Sequence, residues 1–171
     1  MVENINSSKK TFNKKEFCSG CPYLSDATNV VEGVRLEKEV LIVMQSPGKE
    51  EDKLSKPLSG FKKSSATKIL ERLMPKGHVI EDYAVSELIK CRPTKRGIDK
   101  QALAVCYRYL EEEISTHNYS KIICFCVDAF AIVQNIKERY KGEFDVALCK
   151  YPKNTLRKEE KNHITETLKF K

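Results

Sequence analysis

Glu39-Val40-Leu41-Ile42-Val43-Met44-Gln45-Ser46-Pro47-Gly48 decides the fold. Val40 to Met44 is an unbroken apolar run rich in β-branched residues, the pattern of a strand covered on both faces, as strands of parallel sheets are. It stops abruptly at Gln45-Ser46-Pro47-Gly48, a turn. The pattern recurs downstream. Asp82 to Lys90 predicts a second strand, with Tyr83, Val85, Leu88 and Ile89 as its apolar content. Lys121 to Val127 predicts a third and Phe144 to Leu148 a short fourth. Ser64 to Met74 predicts a helix whose Ala66, Ile69, Leu70 and Leu73 share a face, ended by Pro75 and Gly77. Lys100 to Ile114 predicts another, with Cys106, Tyr109 and Leu110 on its inner side, and Asp128 to Ile136 a third. Strands alternating with helices define an α/β sandwich around a mostly parallel sheet. In such sheets the working site lies outside the carboxyl ends of the strands. That rim carries Gln45 to Gly48, Glu87 to Arg92, Asp128 and Tyr151. The charged stretch Lys49 to Lys56 reads as a loop, and the chain after Tyr151-Pro152 as a polar tail.

The 171 residues suit one domain, residues 16–171, preceded by a mobile basic arm from Met1 to Lys15. No apolar run approaches the roughly 18 residues needed to span a bilayer, and the polar start lacks the apolar core of a secretory signal. Seven cysteines without such a signal point to a reducing, cytoplasmic compartment, where thiols bind metal or stay free. A net charge of +7 and a pI near 9.0 suit a polyanionic partner, nucleic acid first. The basic loop Lys90, Arg92, Lys95, Arg96 and Lys100 is the candidate DNA-binding surface.

Four cysteines form the candidate metal site: Cys18 and Cys21 in Cys18-Ser19-Gly20-Cys21, then Cys91 at a strand end and Cys106 on a helix. Four thiolates hold zinc or an iron–sulfur cluster. Structural zinc usually joins two tight pairs, and only the first pair here is tight. That favours iron–sulfur and leaves zinc as the alternative. Cys124, Cys126 and Cys149 lie in or beside apolar strands and read as core. His78, His117 and His163 read as solvated, Glu50-Glu51-Asp52 as a charge run at a helix start, and Glu111 to Glu113 as an exposed helix end.

Taken in order, these segments resemble the family 4 uracil-DNA glycosylases, the iron–sulfur branch of that superfamily, over Phe17 to about Arg157. Cys18-x-x-Cys21-Pro22 resembles the family's N-terminal cysteine pair. Val40 to Gly48, followed by Glu50-Glu51-Asp52, resembles its first strand and a motif that usually reads Gly-Glu-Ala-Pro-Gly. Lys56-Pro57-Leu58-Ser59-Gly60 resembles the next loop, and Tyr83 to Pro93 the strand leading into Lys-Cys-Arg-Pro. Cys106 falls at the spacing of the fourth cluster ligand. Lys121 to Ala131 resembles the following strand and helix, and Tyr151-Pro152 with Leu156-Arg157 the C-terminal motif, usually His-Pro then Leu-Leu-Arg. The resemblance implies a 4Fe-4S cluster on Cys18, Cys21, Cys91 and Cys106, a three-layer α/β/α sandwich with a central four-stranded sheet, and DNA as ligand.

The departures fall at the chemistry. Excision needs the base flipped into a pocket, stacked, read on its edge and helped to leave as an anion while the sugar becomes cationic. Where the family places a carboxylate near the sugar, this chain has Gln45. Leu58 replaces the stacking aromatic ring. Glu87 replaces the base-reading asparagine and, when ionised, only accepts hydrogen bonds. Tyr151 replaces the histidine that stabilises the leaving base. Val127-Asp128 alters the glycine-rich turn after the third strand. The resulting expectation is a DNA-binding or complex-forming relative without ordinary uracil excision, acting in replication, repair or transcription, with protein partners in such a complex. The alternative is an active glycosylase for uracil or another modified base with a rearranged pocket. The style of the sequence suits a bacterial or phage-infected cell.

Overall fold

The computed structural model describes residues 18–23, 29–58, 65–93 and 97–170. The predicted basic arm, Met1 to Lys15, lies outside the described residues. Four strands form one sheet: β1 (Val40–Met44), β2 (Ala84–Glu87), β3 (Lys121–Cys124) and β4 (Asp145–Leu148). Their order is β2-β1-β3-β4, and every pairing is parallel. All five residues of β1 are buried. This is why its sequence is apolar at every position: it is an inner strand with both faces covered.

Five helices are described: α1 (Lys49–Leu54), α2 (Ser65–Leu73), α3 (Lys100–Ser115), α4 (Val127–Tyr140) and α5 (Lys158–Leu168). Period-two alternation along β1 divides its side chains between two cores. Val40, Ile42 and Met44 meet Ala66, Ile69 and Leu70 of α2 and Ile164 and Leu168 of α5. Leu41 and Val43 meet Leu110 and Ile114 of α3 and Ala129, Val133 and Ile136 of α4. The result is three layers, α2 and α5 over the sheet over α3 and α4.

Two expectations about polar stretches are corrected. Lys49 to Leu54 is a helix rather than a loop, and it buries Glu51 and Asp52. The polar tail is largely helix α5. Its apolar signal is only Ile164 and Leu168, four residues apart and therefore on one face, and both are fully buried. The Tyr83 hydroxyl donates to the Leu168 carbonyl at 2.6 Å, and the Thr165 hydroxyl to the Leu73 carbonyl at 2.9 Å. At the other end of α5, Glu160 accepts from the Arg157 main-chain N–H and from Lys150, and these donors hold its carboxyl down to about 2. Helix α3 is capped by Asp99, which accepts from the N–H groups of Gln101 and Ala102. Among the described residues no helix is long and apolar enough to cross a membrane.

Candidate functional site

The turn after β1, helix α1, the end of β2 and the segment after β4 enclose a cavity of about 440 Å³, with Ser46, Gly48, Glu51, Leu58, Glu87 and Tyr151 in its wall. It sits outside the carboxyl ends of β1 and β2, on the rim where parallel sheets place their sites. Three of the four pocket positions, Leu58, Glu87 and Tyr151, therefore come together. Gln45 is half-buried in the turn and is not in the cavity wall. Its main-chain carbonyl instead accepts from the Ile89 N–H at 3.0 Å, extending the β1–β2 pairing.

Glu87 closes β2, opposite Met44. It is 2% exposed, and its Oε2 is buried with no hydrogen-bond partner. Burial holds its carboxyl well above the usual carboxylate range; the charges of Glu51 and Glu113 add to this, and Lys90 opposes it. An ionised carboxyl here would only accept hydrogen bonds. Burial favours the protonated form, which also donates.

Glu51 is the residue that the sequence reading missed. It belongs to the stretch read as a charge run, yet it is 4% exposed and shares the cavity wall with Glu87. A Cβ on Gly48 would stand 2.7 Å from the Glu51 Oε2, so the glycine gives this carboxyl its room. The signal available in the sequence was the i,i+3 spacing of Gly48 and Glu51 across a helix start. Its neighbour Asp52 is structural: it accepts from the Asn29 N–H at 3.1 Å, and its carbonyl accepts from the Asn29 side chain at 2.7 Å. Leu58 is buried at φ 47, a left-handed backbone that leucine rarely adopts. Tyr151 is 43% exposed. Burial of its hydroxyl, and then the charges of Glu87 and Glu51, raise its pKa and keep it a neutral donor. Tyr151 also borders a second, more apolar cavity of about 580 Å³ walled by Phe125, Val127, Leu148 and His163.

The basic loop is corrected at one position. Lys90 is 1% exposed. Its ammonium donates to both carboxylate oxygens of Glu113 at 2.7 Å and to the Ser86 hydroxyl. A lysine committed to a buried ion pair does not face DNA. Glu113, read as part of an exposed helix end, is turned inward for the same reason; it also accepts from the Ser86 hydroxyl and the Gly33 N–H. Arg92 and Lys100 are exposed. Lys95 and Arg96 lie outside the described residues.

Cys18, Cys21, Cys91 and Cys106 share one buried cluster with Tyr23, Ile89, Ala102 and Tyr109. None of the four is in a disulfide. The Cys18–Cys21 turn is tied to α3 by Gln101, whose side-chain amide donates to the Gly20 carbonyl at 2.6 Å. Polar hydrogens are directed at sulfur: the Lys90 N–H donates to Cys106 Sγ at 3.5 Å, and the Tyr109 hydroxyl and Cys18 Sγ are 3.4 Å apart. Burial pushes the Cys106 thiol up to about 11, assisted by the nearby Cys21. Four soft donors and sulfur-directed hydrogens suit a thiophilic metal group. Among the described residues, however, no three His, Cys, Asp or Glu side chains close into a metal-binding group. Of the other cysteines, Cys124 and Cys149 are core, as expected. Cys126 is half-buried and accepts from the Ala129 N–H at the start of α4.

The fold and the rim define a doubly covered, all-parallel α/β protein with a ligand-sized cavity at the strand ends. The family model described as the Uracil DNA glycosylase superfamily matches residues 32–170, and the chain belongs to that superfamily. The chain is similar to the type-4 uracil-DNA glycosylase of Thermotoga maritima, 30% identical over 67% of this chain and 59% of the relative. It is 32% identical to that of Archaeoglobus fulgidus over 63% of this chain and 53% of the relative. It is 28% identical to that of Pyrobaculum aerophilum over 75% of this chain and 66% of the relative. The matches thus span between about half and two thirds of the length of these curated relatives.

Proposed function

We propose that this protein binds DNA, receives an extruded base in the cavity between the ends of β1 and β2, and does not excise uracil in the ordinary way. The observation that carries the reading is the cavity itself: Leu58, Glu87 and Tyr151, the positions matching the family's pocket, line one space of about 440 Å³. Its size falls in the roughly 300–1,000 Å³ range of small-ligand sites. Its chemistry differs from what glycosidic cleavage of uracil requires. Cleavage develops positive charge on the sugar and negative charge on the base. Gln45 is neutral and stands outside the cavity wall. Tyr151 donates one hydrogen bond without positive charge, and Leu58 packs on a ring without a π-face. Loss of one preorganised electrostatic contact costs about 10²–10³ in rate, and here several are replaced together. Arg92 and Lys100 supply phosphate contacts beside the rim. Cys18, Cys21, Cys91 and Cys106 would hold an iron–sulfur cluster, with zinc as the alternative metal. That group would hold the segment around Cys18 and Cys21 to the loop that carries Arg92. The protein would work in the cytoplasm, in DNA repair, replication or transcription.

One observation favours a second reading, an active glycosylase with a rearranged pocket. The buried Glu51 brings a carboxylate to the cavity that has lost one at Gln45. Uracil release from single- and double-stranded oligonucleotides separates the two. The first reading expects no release above an uncatalysed control. The second expects release that disappears in Glu51→Gln.

A further inference from the structure

The cavity wall contains a carboxyl with one buried oxygen that has no hydrogen-bond partner among the described residues. Glu87 Oε2 has no hydrogen-bond partner, the residue is 2% exposed, and the side chain forms part of the cavity wall. A buried polar atom without a partner costs about 1–3 kcal/mol, so a fold that keeps one at the edge of a cavity keeps it for something that enters the cavity.

The charged and titratable groups around Glu87 come from each neighbouring element. They are Glu51 on α1, Lys90 just beyond β2, Glu113 on α3, Cys126 at the start of α4, and Tyr151 and Lys153 after β4. Of the two cations among them, Lys90 is held by both oxygens of Glu113 and by Ser86, and Lys153 is an exposed residue of the cavity wall. Glu51 and Glu113 are acidic, while Tyr151 and Cys126 are neutral near pH 7. Neither cation is hydrogen-bonded to Glu87 Oε2, and two carboxylates facing one cavity do not both ionise readily.

We propose that Glu87 reads the edge of an extruded base as a neutral carboxylic acid, accepting through its C=O and donating through its O–H, so that the cavity takes both keto and amino pyrimidine edges. This inference rests on the flipped-base reading and adds to it the class of base. Toward a uracil-like edge, the C=O accepts from N3–H and the O–H donates to O4. Toward a cytosine-like edge, the C=O accepts from the exocyclic amino group and the O–H donates to N3. The proton can sit on either oxygen. A carboxylic acid therefore presents donor and acceptor in either order without turning its side chain, whereas an amide must rotate to do so. Ionisation removes the donor. Each edge then keeps one bond, from N3–H of the keto edge or from the exocyclic amino group of the amino edge, and each sets its acceptor, O4 or N3, against the unprotonated oxygen.

The test uses the full-length protein and single-stranded oligonucleotides carrying one deoxyuridine, one deoxycytidine or one abasic analogue at the same position. At mildly acidic pH, the wild type is expected to bind both base-bearing strands roughly tenfold or more tightly than the abasic strand, as a paired donor and acceptor predicts. As pH rises, the preference for either base-bearing strand over the abasic strand should fall. In Glu87→Gln that preference should be flat, because an amide does not titrate. Difference infrared spectra of wild type against Glu87→Gln should contain the carbonyl stretch of a protonated carboxyl. If that band is missing, or if the preference in Glu87→Gln follows the wild-type slope, the inference fails while the flipped-base reading stands. If no variant prefers any base-bearing strand to the abasic one, both fail.

Discussion

Glu87 and Lys90 are three residues apart, both almost wholly buried and both ionisable, yet they face opposite situations. Lys90 turns toward α3 and is saturated by Glu113 and Ser86. Glu87 turns toward the cavity and keeps an oxygen without a partner. Burial alone therefore does not distinguish a structural charge from a working one; satisfaction does. A buried charge whose donors are all used holds elements together. A buried group left with an unused acceptor beside open space is available to a ligand.

The largest effect expected from breaking this contrast is on the Lys90 side. Lys90→Ala leaves Glu113 inside without its cation and should cost about 3–5 kcal/mol in urea unfolding. The double replacement Lys90→Met with Glu113→Leu should recover most of that loss. A single-variant cost well under 1 kcal/mol would mean that the pair is not structural.

The Glu87 side should respond to pH. Its folded pKa is raised, so the native state holds a proton that the unfolded chain has lost. Stability should fall as pH rises from the ordinary carboxylate range toward the raised folded value, by about 1.4 kcal/mol for each unit of elevation. Thermal melts of wild type and Glu87→Gln across this window should diverge, with the variant lacking the decline. Parallel curves would remove the protonated Glu87.

Ser86→Ala is a smaller change at the saturated end. It removes one hydroxyl that bridges Lys90 and Glu113 while leaving the ion pair, and chemical denaturation should register about 1 kcal/mol. The smallest effects belong to the surface. Arg92→Ala and Lys100→Ala should not change stability beyond about 0.5 kcal/mol. Each should lower the slope of log affinity for DNA against log salt by about 0.7–0.9. An unchanged slope in both would place DNA elsewhere.

The fold was legible where burial was two-sided. Val40 to Met44 is apolar at every position because both faces of β1 are covered, and Ala66, Ile69 and Leu70 announced α2 by periodicity. Helices α1 and α5 were not legible: Lys49–Leu54 holds a single apolar residue, and α5 contributes only Ile164 and Leu168 to the core. Leu58, Glu87 and Tyr151 share one cavity wall and the four cysteines share one buried cluster, groupings that the order of the motifs along the chain made visible. Glu51 and Lys90 were misjudged for one physical reason. Charge reads as exposure unless the partner is visible, and the partners are distant or unusual. Glu113 is twenty-three residues beyond Lys90. What makes room for Glu51 is the missing side chain of Gly48.

The most direct measurement compares wild type and Glu87→Ala binding to a strand bearing one deoxyuridine, each relative to the same strand bearing an abasic analogue, at mildly acidic pH. The account predicts a preference of roughly tenfold or more in the wild type that vanishes in Glu87→Ala, with both proteins binding the abasic strand alike. Equal affinity of the wild type for the two strands, or the same preference in Glu87→Ala, would contradict it.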